Sequence, residues 1–274
     1  MGNPFNLVKA DVKRLVKDKA AYIILIVGVG LSILMTLTLK LLEATLNEDL
    51  GGMADTSGMM FAAALGTGLS LGRLGVYIAL ACSLFTGKDH AYNTVRNKLI
   101  AGNSRSRVYL SNLLVNCLLG LAYLVLNALF AVLIGLIAFG IPADMGVLLT
   151  RTALAVVPYL GIVAVVTFIS MTVRRQAFGI VLNMVLVIVV ATIFSSVRTV
   201  MLMTEVSRGA EIFFEYNLFT LFDEVLPGAL NLMGGSSIPA PAAALTLRAL
   251  LVPLAYGAAF TLLGIVVFRK ADIH

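Results

Sequence analysis

Few residues in this chain could direct chemistry, and most of them fall in one stretch. From position 85 it reads Phe85-Thr-Gly-Lys-Asp-His-Ala-Tyr-Asn-Thr-Val-Arg-Asn-Lys-Leu-Ile-Ala-Gly-Asn-Ser-Arg-Ser-Arg-Val-Tyr-Leu-Ser, a run dense in basic and amide groups. The only histidines are His90, inside this stretch, and His274, the last residue. The long apolar windows elsewhere contain no acid. Intramembrane proteolysis needs a His-Glu metal pair or a Ser-His dyad, and neither can be assembled. Proton-coupled carriers and ion channels use buried acids or charged rings, and these are missing as well. Gly87-Lys88 is followed by Asp89 and lacks the earlier glycine of a phosphate loop, so the chain cannot bind ATP in that way. Any work it does must draw on energy from a partner.

The elements that carry these residues follow from composition. Of 274 residues, 60% are hydrophobic and 12% charged, and the mean hydropathy is +1.00. Soluble domains carry roughly 25% charge, and water would not tolerate this much apolar surface. The composition predicts an all-α integral membrane protein and excludes a disordered chain, a disulfide scaffold and a nucleic-acid-binding domain. Cys82 and Cys117 lie in apolar runs and read as small buried hydrophobes.

A membrane crossing needs about 20 apolar residues. Such windows cover 20–39, 109–139, 152–173, 176–197 and 249–268, and a sixth, 66–87, is interrupted by Arg73. Six transmembrane helices are predicted within a single domain spanning 1–274. No small-residue cleavage site follows the first window, which is expected to be retained. Segments 1–19, 88–108, 174–175 and 269–274 hold 14 of the 20 Lys and Arg but only four of the 14 acids. Cytoplasmic loops carry the excess of basic residues, so both termini are expected in the cytoplasm. The pI of about 9.4 then records topology.

Three connecting segments have their own character. Residues 1–19 are expected to form an amphipathic helix lying on the membrane, with Asn3 as N-cap and Pro4 at the first helical position. Phe5, Val8, Val12, Leu15 and Val16 fall on one face, and Lys9, Lys13 and Lys17 form a cationic stripe beside it. A cytosolic extension of the first span is the alternative. In the region 198–248, Phe214, Leu218, Phe222 and Val225 recur at helical spacing before Pro227-Gly228, Gly234-Gly235-Ser236-Ser237 and Pro239-Ala240-Pro241. Short re-entrant helices between spans five and six, or a loose outer loop, would both fit. Segment 88–108 is the third, and positive-inside bias or contact with anionic headgroups would account for its basic residues.

The stretch 85–111 also resembles the signature loop of ABC-2 type permeases, the membrane subunits of bacterial ABC exporters. That family has an acid after the second span, a Gly-Thr-[Ile/Val]-Arg-Asn-like helix, a Gly, a Ser-Arg pair and the start of the third span. Here Asp89 stands where the family usually has Glu, and Asn93 where it often has Gly, a left-handed position that Asn tolerates. The end, Phe268-Arg269-Lys270-Ala271-Asp272-Ile273, and the order of the parts resemble the family along the whole chain.

The resemblance implies a permease in a bacterial cytoplasmic membrane that moves an amphipathic or hydrophobic cargo (peptide, drug or lipid) outward by alternating access. Loop 88–108 would be the coupling loop and Thr94–Ile100 a coupling helix seated in a separate ABC ATPase subunit. Arg96 and Lys98 would make charge-assisted contacts there, Asp89 would anchor the loop, and Thr94 and Asn97 belong to the same set. ATP and Mg would be bound by that ATPase, with no cofactor and no catalytic or metal site in this chain. Two permease copies, identical or related, would enclose a cleft lined by spans two and five, in contact with membrane lipids and with no nucleic acid. Candidate cleft residues are Arg73, Asn183, Met184 and Thr192, beside Ser195 and Ser196. Interhelical hydrogen bonding is the other reading of the span-five polar residues.

An arginine at mid-membrane costs about 2.5–3.5 kcal/mol. Arg73 is therefore expected near the outer end or paired, with Glu43, Glu48, Asp49 and Asp55 as candidate partners; substrate contact is the alternative. Gly28, Gly30, Gly68 and Gly72 could permit close helix approach. A six-span scaffold or sensor without transport activity is the rival reading, and a secondary carrier would show inverted repeats and broken helices.

Overall fold

The computed structural model describes residues 4–49, 57–142, 144–173, 175–203, 208–226 and 241–270. Among these are twelve helices and no strand. In chain order they are α1 (Pro4–Val16), α2 (Lys19–Asp49), α3 (Ser57–Gly68), α4 (Leu71–Ala91), α5 (Thr94–Ile100) and α6 (Arg105–Phe139). There follow α7 (Met145–Leu154), α8 (Val156–Thr172), α9 (Gln176–Met203), α10 (Arg208–Glu215), α11 (Leu218–Val225) and α12 (Ala243–Lys270). Asn3, Asp55, the turns between Pro227 and Ala240, and Asp272-Ile273 lie outside the described residues, as do the side chains of Phe5, Glu48, Asp49 and Ser195.

Six helical stretches are long and apolar enough to cross a membrane: Lys19–Thr45, Ser57–Ala91, Arg105–Phe139, Met145–Thr172, Gln176–Ile193 and Ala243–Lys270. The chain is a multi-pass membrane protein. The stretches overlap the six windows expected from hydropathy, and the differences have local causes. α2 continues to Asp49 because nothing in its polar end breaks a helix. The second stretch begins at Ser57 rather than 66 and is two helices, interrupted at Leu69-Ser70. The fourth is also two, α7 and α8, meeting at Ala155.

The interruption at Leu69-Ser70 explains Arg73. The Thr67 carbonyl receives only a long bond from Ser70 N, at 3.4 Å. The Arg73 guanidinium, in the first turn of α4, donates to the same carbonyl at 3.2 Å. An exposed end of the helix dipole thus supplies what a carboxylate was expected to supply. Glu43, one of the expected partners, instead pairs with Lys40 at 2.6 Å. Arg151 caps in the same way: it is buried and donates to the carbonyls of Glu224 and Val225, at 3.3 and 3.2 Å, which close α11. Arg248 of α12 pairs with Glu215 of α10 at 3.0 Å.

α4 and α8 form the centre of the bundle. Leu71, Leu74, Ile78 and Cys82 of α4 and Tyr159, Ile162, Val163 and Val166 of α8 are all buried in one cluster. α9 packs beside α4, α12 beside α8, and α6 spans from α2 to α8. Close approach relies on glycines at which an added Cβ would meet a neighbour: Gly75 with Val187 Cγ1 at 2.6 Å, Gly120 with Val163 Cγ2 at 2.8 Å and Gly135 with Phe61 Cε2 at 2.8 Å. Of the four expected glycines only Gly28 is so tight, 2.9 Å from Tyr77, while Gly30 and Gly72 have nothing within 4 Å. α11 buries Leu218, Leu221, Phe222 and Val225 against this core. The outward faces of α2, α9 and α12 are lined with exposed Ile, Leu and Val, as hydrocarbon contact requires.

Candidate functional site

The charged loop between α4 and α6 is built from the end of α4. Asp89 lies in its last turn, fully buried. Tyr92 and Asn93 then reverse the chain, with Asn93 at φ 54°. It is the one non-glycine with positive φ among the described residues, a conformation that Asn adopts more readily than most. α5 follows as two turns. Val95 is buried and, with Leu99 beside it, packs against Val108, Tyr109, Met171 and Phe268. Ser104 then opens α6, its Oγ accepting from Arg107 N at 3.4 Å.

Two acids and two bases meet beneath α5. Lys98 of α5 lies 3.1 Å from Asp89 and 2.8 Å from Asp11 of α1. Asp11 also accepts a hydrogen bond from the Ser111 hydroxyl of α6 at 2.7 Å. Arg14 of α1 pairs with the second oxygen of Asp89, and its guanidinium stands 4.5 Å over the Phe85 ring. Asp89, Asp11 and Lys98 are buried, whereas the Arg14 side chain is 35% exposed. The formal charges cancel, as burial of so many ionised groups demands. Next to this cluster Lys88 holds both oxygens of Asp18 at 2.7 Å, and Asp18 caps α2 by accepting from Ala20 N at 3.0 Å. One end of α1, α2, α4, α5 and α6 is thereby bound into a single body.

The five residues singled out in the loop divide into two groups. Asp89 and Lys98 face inward and are committed to partners within the chain. Arg96 and Asn97 are exposed and Thr94 half-buried. Tyr92 and Ile100, each 74% exposed, flank them. α5 and the turn before it therefore offer one cation, one amide, one tyrosine ring and one isoleucine to the outside, on a helix clamped from beneath. Asp11, Arg14 and Ser111 were not anticipated in this site. The available signal was an acid in a basic helix, one turn from both Leu7 and Leu15.

The four cleft candidates are not brought together. Arg73 sits at the α3–α4 interruption, and Thr192 is on the exposed face of α9. Met184 is half-buried. Asn183 is fully buried, its amide donating to Ser83 Oγ of α4 and Ser170 Oγ of α8, both at 2.8 Å. Asn116 of α6 does the same from the other side, donating to Thr86 of α4 at 3.3 Å and Thr167 of α8 at 3.1 Å. The interhelical reading therefore accounts for Asn183. Asn183→Leu is expected to cost about 0.6–1.7 kcal/mol, read as a lower unfolding midpoint in detergent. A further Ser83→Ala change should then cost less than it does in the wild type, because its 2.8 Å bond from Asn183 is already gone and only the 3.4 Å contacts to Ser170 and to the Gly179 carbonyl remain to be lost.

No curated protein matches the chain. Residues 56–274, which hold every helix from α3 to α12, match the family described as Protein of unknown function (DUF2705), and the chain belongs to that family.

Proposed function

We propose that this chain is the permease subunit of an ATP-driven exporter of the ABC-2 type, in a bacterial cytoplasmic membrane with both termini inside. α1 is the amphipathic interfacial helix, and α10 and α11 are the short helices that re-enter the outer leaflet. The observation that carries the reading is α5: a two-turn helix clamped from beneath by buried ion pairs, with Tyr92, Arg96, Asn97 and Ile100 left bare. A loop that merely obeyed charge bias would need no such anchorage. A handle that transmits force does, because a push on a mobile loop is dissipated before it reaches the bundle.

In this reading a separate ABC ATPase subunit binds ATP and Mg and grips the exposed face of α5. Asp89 and Lys98 act one layer further in, passing its displacement to α1, α4 and α6. Two permease copies, identical or related, then rock between inward- and outward-open states and expel an amphipathic or hydrophobic peptide, drug or lipid.

The test co-expresses the chain with the genes that flank its own and measures ATP hydrolysis of whatever complex with an ATPase is purified, reconstituted in nanodiscs. Wild type is expected to retain the ATPase through gel filtration. Arg96→Glu with Ile100→Asp is expected to release it and to lower hydrolysis at least about tenfold, the scale of losing a charged and an apolar interface contact, while the amount inserted stays unchanged. A properly inserted chain that recruits no ATPase overturns the proposal and leaves the six-span scaffold or sensor.

A further inference from the structure

α1 has a second face that the buried cluster leaves unused. Leu7, Asp11 and Arg14 point inward, and Asp11 and Arg14 are held by Lys98 and Asp89. On the far side Lys9, Lys13 and Lys17, four residues apart, are all exposed. None of the three has an acidic partner among the described residues, and the helix's single acid is already committed to Lys98. Beside them run Val8, Val12 and Val16, half-buried at the first two and 58% exposed at the third.

The position of this face narrows what it can meet. Only Lys17 and Asp18 separate α1 from α2, whose apolar window begins at once. The Tyr22 hydroxyl bonds back to the Val16 carbonyl at 2.9 Å and fixes the joint. α1 is thus held where the first span enters the hydrocarbon. A valine row beside a lysine row at that depth suits a bilayer surface, with the valines against acyl chains and the lysine stems reaching up to phosphate.

We propose that Lys9, Lys13 and Lys17 form a binding site for anionic phospholipid headgroups, and that its occupancy is communicated to α5 through the Asp11–Lys98 and Arg14–Asp89 pairs. Three lysines at an anionic surface favour it over a neutral one by about a hundredfold. The same short helix holds α5 on its opposite face, so seating α1 on lipid steadies both partners of Lys98 and Asp89. A neutral bilayer leaves the lysines uncompensated and α1 freer to lift, and α5 loosens with it. The site is independent of the exporter reading, and no ATPase enters its test.

The test compares hydrogen exchange of the full chain in nanodiscs of phosphatidylcholine with and without phosphatidylglycerol. Amides of α1 and of α5 are expected to exchange about tenfold more slowly with phosphatidylglycerol, the scale of part of that preference, and the difference should shrink as salt is raised. The variant Lys9→Gln, Lys13→Gln, Lys17→Gln should lose the difference, and the matching Arg variant should keep it. Equal exchange in the two lipids, or an effect that survives the Gln variant, overturns the site. Protection confined to α1 overturns the link to α5. Equal protection by free glycerol phosphate in phosphatidylcholine discs overturns the lipid assignment.

Discussion

Replacing Asp89 with alanine is expected to destabilise the protein by about 3 kcal/mol, the lower end of the range for breaking a buried ion pair. The fully buried carboxylate faces Lys98 on one side and Arg14 on the other. Its removal leaves two cations with Asp11 alone. Lys98 is only 9% exposed, whereas the Arg14 side chain is 35% exposed and can turn outward, which keeps the cost near the bottom of the range. The measurement is an unfolding midpoint in lipid or detergent, with inserted yield as a second readout. Charge balance makes a sharper statement. Lys98→Met alone strands two acids against Arg14, while Lys98→Met with Asp11→Asn leaves the matched Asp89–Arg14 pair and should recover part of the loss. Equal stability of all three variants would show that the cluster does not behave as a buried ionic unit.

Gly264→Ala should have a comparable effect by a different cause. A Cβ there would overlap the Tyr109 hydroxyl and come within 2.6 Å of its ring Cε2. Tyr109 is 1% exposed and packs against Phe268, so the ring has nowhere to swing. Overpacking of this kind costs about 1–3 kcal/mol, and the upper part of that range is expected. Tyr109→Leu should rescue the alanine by vacating the overlap. Gly30→Ala is the contrast: its Cβ meets nothing within 4 Å, and an exposed mid-helix glycine should gain about 0.5–1 kcal/mol on becoming alanine. Thermal unfolding of the three variants separates the two outcomes.

What the sequence made legible was whatever depends on local composition. The six crossings follow from apolar length, since a helix that must satisfy its own backbone in hydrocarbon declares itself by hydropathy. The turn at Asn93 and the bounds of α5 at Thr94 and Ile100 were also readable, through the family resemblance and a residue type suited to positive φ. Interruptions inside a span were not. Leu69-Ser70 and Ala155 themselves carry neither proline nor glycine; at the first break Arg73 takes the Thr67 carbonyl, and just past the second Pro158 has no N–H to offer the Leu154 carbonyl.

The inward turn of Lys98 lay further out of reach. Its partner Asp11 is 87 residues away, and hydropathy treats both simply as charges outside a span. Lys98 and Arg96 look alike in sequence, yet only the latter is left for an external contact. Leu7 was overlooked for a similar reason. The valine face of α1 is the more hydrophobic one, but the bundle takes the face on which an acid can reach Lys98.

The twin asparagine clamps bear on how the bundle can deform. Ser83 and Thr86 on α4 stand three residues apart, as do Thr167 and Ser170 on α8, and Asn116 and Asn183 bridge the pairs from opposite flanks. Sliding one helix past the other by a turn, about 5.4 Å, would sever both bridges together inside hydrocarbon, where neither amide finds water. Shear between these two helices is therefore locked like a toothed rack, and tilting about the clamps is the cheaper freedom. α2, whose neighbours are mainly α6 and α3, is free of that lock.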